Sequence, residues 1–164
     1  MKTIYLFAGQ GSQYLGMGKD FYDKFPYLHR LYDQASEILG YDIKEICFER
    51  NDLLNITEYT QPAILVTSCA IYEVLKRDCS LPPVAFAGFS LGEYSALYAA
   101  GIFDFQTIIE LIKYRAQFMA EAAHENLGSM AAIIGLDKTL LERICLETGV
   151  WIANYNCSNQ IVIS

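Results

Sequence analysis

The stretch Val84-Ala85-Phe86-Ala87-Gly88-Phe89-Ser90-Leu91-Gly92-Glu93-Tyr94-Ser95-Ala96 decides how the chain is read. Pro82-Pro83 stops the chain before it. Val84–Ala87 is a compact apolar strand, and Glu93–Ala100 is an Ala- and Leu-rich helix closed by Gly101. Between them, Gly88-x-Ser90-x-Gly92 has the spacing of a nucleophile elbow: a sharp strand-to-helix turn pushes the serine hydroxyl clear of the backbone, and flanking glycines let it pass. The same letters also suit a turn serine that caps the helix. If Ser90 is a nucleophile, the amide of Leu91 at the helix start points into the same cavity and can stabilise an oxyanion.

Upstream, residues 3–8 form an apolar run that reads as a buried strand emptying into Gly9-Gln10-Gly11-Ser12-Gln13, a loop of little bulk. Two helical stretches between Lys19 and Leu39 are separated near Pro26, and Pro62 is placed to open the apolar helix Ala63–Lys76. Downstream, Asp104 is suited to cap a long helix running to about Glu125 and ended by Asn126-Leu127-Gly128. After Gly128 the elements shorten into a strand (Met130–Leu136), a helix (Asp137–Thr148), a strand (Val150–Tyr155) and a strand start (Gln160–Ser164). That order opens a ferredoxin-like split arrangement, which needs another helix and strand to close.

The 164 residues are 53% hydrophobic and 19% charged, which describes a globular chain and excludes a disordered tail. A chain of this size removes roughly 70% of its extended-state surface from water, so it needs no disulfide or metal staple. Twelve Lys+Arg against 19 Asp+Glu give a net charge of −7, which argues against nucleic acid as a partner. No apolar stretch approaches the ~20 residues that span a bilayer, and Met1–Ala8 is too short for a signal peptide, so the expected location is the cytoplasm. Five cysteines (Cys47, Cys69, Cys79, Cys145 and Cys157) show no C-x-x-C pair and stand apart from the two histidines. The expectation is reduced thiols and no metal site.

Turning each residue of the helix after Asp104 by about 100° places Ile108, Leu111, Ile112, Met119 and Ala122 on one apolar stripe, with Arg115 near its centre. A guanidinium there must snorkel, find an internal acid, or face a cavity that receives an anion. Its planar fork suits bidentate capture of a carboxylate. A serine nucleophile also needs a base. His124 lies about two and a half turns beyond Arg115 and points to the polar face beside Gln117 and Glu121, while His29 has no link to the elbow. The 164 residues therefore offer the serine no base.

Read together, these residues resemble the malonyl-CoA:acyl-carrier-protein transacylases and the acyltransferase domains of fatty-acid and polyketide synthases. The likeness runs in order through Gly9-Gln10-Gly11-Ser12-Gln13 with Gly16-Met17-Gly18, Gln61-Pro62, Gly88 to Ala96, Arg115, Gly128 to Leu136, and Asn154-Tyr155-Asn156 with Gln160 to Ile163. It covers essentially the whole chain and roughly the first half of the family. The resemblance implies that Ser90 is acylated by malonyl-CoA and passes the acyl group to the phosphopantetheine thiol of an acyl carrier protein. It further implies that the amides of Gln10 and Leu91 form the oxyanion hole and that Arg115 holds the free carboxylate. The family's base is a histidine from the C-terminal part of the fold, and no permanent cofactor is involved. Three positions depart from the family pattern. Phe89 stands where His is usual, Ala8 where Pro is common, and Cys157-Ser158-Asn159 where Ser-Pro-Gly is often found, with Asn159 able to take a left-handed conformation.

The expected fold class is α/β: an incomplete hydrolase-like core with a parallel sheet over 1–127, and the start of a small ferredoxin-like α+β subdomain over 128–164. Two other functions remain open: a serine acyl hydrolase on the same scaffold, and an inactive piece that lacks its base. An acidic chain that meets an acidic carrier protein needs a local basic patch, for which Lys76, Arg77 and Lys113 are candidates.

Overall fold

The computed structural model describes residues 2–78, 82–125 and 128–164. Expectations resting on Met1, Cys79 and Asn126-Leu127 lie outside them. The chain divides into two compact units, Met1–Glu121 and Ala122–Ser164. The division falls inside the long helix rather than in the turn after it, because Glu121–Glu125 are exposed and contribute nothing to the first unit's core.

In the first unit, β1 (Thr3–Phe7) and β2 (Pro83–Gly88) pair in parallel, with Phe7 opposite Gly88 at the carboxyl ends of both strands. Parallel pairing demands a long crossover. It is supplied by α1 (Lys19–Lys24), α2 (His29–Leu39), α3 (Ile43–Phe48) and α4 (Thr57–Asp78). β1 is not the buried strand expected from its apolar run. Thr3, Tyr5 and Phe7 are half-buried, with Tyr5 and Phe7 packing on the Tyr72 ring of α4, but the alternate residues Ile4 and Leu6 are exposed. A strand's side chains alternate between two faces, and an apolar run cannot say whether both are covered.

Helix α4 is buried all round from Thr60 to Thr67 and forms the centre of the core, against Tyr32, Ile43, Ile108 and Ile112. It starts earlier than Pro62 suggested. The Tyr59 and Thr60 amides donate to the Ile56 carbonyl at 2.9 and 2.8 Å, and the Thr60 hydroxyl donates to the Leu54 carbonyl at 2.7 Å, so the first turn is set before the proline arrives. Pro62 lies inside the helix and has no N–H to give the Glu58 carbonyl.

The last elements of this unit are α5 (Gly92–Ala99) and α6 (Phe105–Glu125). Asp104 caps α6 as expected, accepting from the Thr107 amide at 2.8 Å. Hydrogen bonds from Thr107 hold the Asp104 carboxyl below its ordinary range.

The second unit contains β3 (Ala131–Ile134), α7 (Lys138–Thr148), β4 (Ile152–Cys157) and β5 (Gln160–Ile163), in the expected order. β5 lies between β3 and β4, antiparallel to both, over a small core of Leu141, Cys145 and Ile161. Asn159 does not use the left-handed conformation open to it; Ser90 is the one non-glycine among the described residues with positive φ. The β4–β5 register slips between Tyr155 and Cys157. Among the described residues no helix is long and apolar enough to cross a membrane.

Candidate functional site

The carboxyl ends of β1 and β2 meet the start of α5 so closely that two positions admit only glycine. A Cβ on Gly88 would fall on the Gly92 backbone, and a Cβ on Gly92 would fall on the Phe7 carbonyl. Between them Ser90 is held at φ 51°, a region that costs a side-chain-bearing residue free energy and persists only where its surroundings enforce it. The enforcement is visible in the backbone. The Phe89 amide donates to the Phe7 carbonyl at 3.1 Å, and the Gly92, Glu93 and Tyr94 amides donate to the Phe89, Ser90 and Leu91 carbonyls at 2.9, 3.1 and 3.1 Å. The strand-turn-helix reading of Gly88 to Gly92 is therefore the geometry found, with the side chain of Leu91 fully buried as the anchor of the turn.

The loop after β1 lies against this elbow. A Cβ on Gly9 would come within 2.7 Å of the Phe89 carbonyl oxygen. Gln10 and Gln13 tie the loop to the segment that enters α4, donating to Thr57 Oγ1 at 3.2 Å and Asn55 Oδ1 at 3.4 Å. The backbone of Gly9, next to Gln10, thus lies against the elbow at Phe89.

Arg115 reaches the same place from α6. Its Nη2 donates to Ser90 Oγ at 3.1 Å, its Nη1 donates to the Gln61 side-chain oxygen, and its guanidinium carbon lies 5.4 Å from the centroid of the Tyr94 ring. Among the described residues no carboxylate pairs with it. Of the three fates open to this cation, an internal acid is therefore not the one met among the described residues. The buried stripe of α6 is Ile108, Ile109, Ile112 and Ala116, whereas Leu111, Met119 and Ala122 are exposed. Arg115 therefore sits at the edge of the buried face rather than at its centre. An ideal 100° step locates a face but not its margins.

Two side chains of this cluster had no role in the sequence reading. Gln61 is fully buried on α4 and hydrogen-bonds Arg115, while Tyr94 stands in the first turn of α5 beneath the guanidinium. The signal for Gln61 was present: an amide in an otherwise apolar helix must find a partner.

Neither histidine joins the site. His29 stacks on Tyr22 at 4.2 Å, with Nε2 3.1 Å from the Tyr22 carbonyl, and His124 is exposed in the last turn of α6. The described residues bring together a strained hydroxyl and a cationic fork. Such a set can bind and attack an activated acyl group, with proton removal left to another group. Of the basic candidates, Lys113 donates to the Ile38 carbonyl at 2.8 Å, and Lys76 and Arg77 lie 6.0 and 4.5 Å from the rings of Tyr72 and Tyr27.

Residues 4–164 match the family model described as the acyl transferase domain. The chain is 43% identical to the malonyl CoA-acyl carrier protein transacylase of Bacillus subtilis, over 99% of this chain and 53% of that protein. A crystal structure of MCAT from Streptococcus pneumoniae superposes with a TM-score of 0.90 at 47% identity, covering 99% of this chain and 54% of that one. A type II PKS acyl-carrier protein in complex with its malonyl-transacylase contains a chain that superposes at 0.92 with 40% identity, covering 99% and 54%. The chain spans about half the length of the curated relatives it matches.

Proposed function

Since this chain belongs to the acyl transferase domain family, we propose that the complete protein carries a malonyl group from malonyl-CoA to the phosphopantetheine thiol of an acyl carrier protein. The observation that carries the reading is the Arg115 fork donating to Ser90 Oγ at 3.1 Å. In a malonyl thioester one methylene separates the reacting carbonyl from the free carboxylate. A cation touching the nucleophile is therefore within reach of that carboxylate once the carbonyl is at Ser90.

Ser90 Oγ attacks the thioester carbonyl, forming a C–O bond, and its proton passes to a histidine outside the described residues. The amides of Gln10 and Leu91 hold the negative oxygen of the tetrahedral intermediate. Collapse breaks the C–S bond, and the leaving thiolate of CoA takes the proton. The carrier thiol then attacks the acyl-serine ester in the same manner, returning the proton to Ser90 and completing ping-pong transfer. In this reading the first unit is the opening of a hydrolase-like core, the second that of a ferredoxin-like subdomain, and the reaction runs in the cytoplasm without a permanent cofactor.

Intact mass of the complete protein after malonyl-CoA should increase by one malonyl group, and Ser90→Ala should remove the adduct. Labelling that survives this substitution would overturn the assignment. Release of free malonate without acyl-carrier product would move the protein to the acyl hydrolase reading.

A further inference from the structure

Arg115 is held by a group that does not neutralise it. Gln61 has no exposed surface, and its side-chain oxygen accepts from Arg115 Nη1 while its Nε2 lies 3.3 Å from Met119 Sδ. The opposite amide orientation would set N–H groups against the guanidinium N–H groups, so the neighbours fix the amide. Resting on the reading of Arg115 as the carboxylate holder, we propose that Gln61 is its positioning residue, and that the amide's neutrality preserves a net positive charge for an acyl group ending in a carboxylate.

The physics separates an amide from a carboxylate at this position. Both accept a hydrogen bond and both fill the same space. A glutamate would pair with the fork bidentately and cancel its charge, leaving an anionic acyl group little to gain. A methionine would fill the space and leave the charge intact, but would no longer register the fork beside Ser90. The amide is the choice that aims the cation without discharging it. Tyr94 serves the same end, since a ring face beneath a guanidinium attracts it without supplying a formal charge.

The test uses the complete protein with Ser90→Ala, so that thioesters bind without reacting, and compares calorimetric affinities for malonyl-CoA and acetyl-CoA. With Gln61 present, malonyl-CoA should bind more tightly. Q61E should reduce that preference by about tenfold or more, and Q61M by less, in keeping with hydrogen bonds to charged groups. A folded Q61E that keeps the preference overturns the proposal, as does an equal loss in Q61E and Q61M, which would reduce Gln61 to packing. Should Q61E fail to fold by thermal melting, Q61M decides: a smaller preference supports the proposal, and an unchanged one overturns it. No preference with Gln61 in place would instead remove the role given to Arg115, and this inference with it.

Discussion

Arg115 Nη2 donates to Ser90 Oγ across 3.1 Å, joining a cation on α6 to the one described non-glycine residue held at positive φ. The strand-to-helix turn presents the hydroxyl, and a separate helix, through a buried amide on a third, presents the charge. Removing either partner should therefore have different consequences.

Arg115→Ala should lower malonyl transfer to carrier protein roughly 10- to 100-fold relative to acetyl transfer, the range expected for charge-assisted hydrogen bonds. Arg115→Lys should recover only part of this, because an ammonium keeps the charge but not the fork. Initial rates with the two thioesters, compared as a ratio, check the prediction. Equal losses for both would count against a carboxylate clamp.

Gly88→Ala and Gly92→Ala should each destabilise the protein by about 3 kcal/mol or more, because the added methyl meets backbone that cannot move aside without breaking the β1–β2–α5 junction. Urea midpoints at constant m-value provide the measurement. A loss of a few tenths of a kcal/mol would mean that the junction is more yielding than described.

Stability should fall on the alkaline side. Burial pushes the Cys47 thiol up to about 12, and burial also raises the Tyr32 and Tyr41 phenols. An unfolded thiol ionises from about pH 8.5 while the folded one keeps its proton, so above that pH the unfolded state binds fewer protons and gains. Cys47 alone should contribute a slope of up to about 1.4 kcal/mol per pH unit, ending near its folded value. Urea unfolding at about pH 8 and about pH 10 should show the decline, and Cys47→Ala should make it shallower.

Thiol accessibility gives a further check on the packing. Cys157 is exposed, whereas Cys47, Cys69 and Cys145 are buried. Brief iodoacetamide treatment of the native protein followed by peptide mapping should modify Cys157 well before those three. Early modification of Cys69, at the centre of α4, would contradict the core described above.

The elbow was legible because its requirement is steric: backbone approaches that no Cβ survives leave glycine at 88 and 92 whatever the surroundings. The α6 cap was legible for a similar reason, since an acid just before an amphipathic run has few other uses. The start of α4 was hidden because Pro62 is an equally good signal for a first turn, and the chain set that turn earlier through Ile56 and Leu54. The margins of the α6 stripe, and the exposure of Ile4 and Leu6, depend on which neighbours arrive, and periodicity carries no such information. The partnership of Gln61 with Arg115 spans two helices and lies beyond any local pattern. The family likeness named the motif around Gln61, but not what the amide does.

The seat beneath the guanidinium has a mechanical meaning. Ser90 and Tyr94 are one turn apart on the same rigid corner, so both contacts that Arg115 makes there ride on a single piece of scaffold. Thermal breathing that lifts α6 from that corner must release hydroxyl and ring together. The hydroxyl and the cation should accordingly lose register as one cooperative event rather than by gradual slippage.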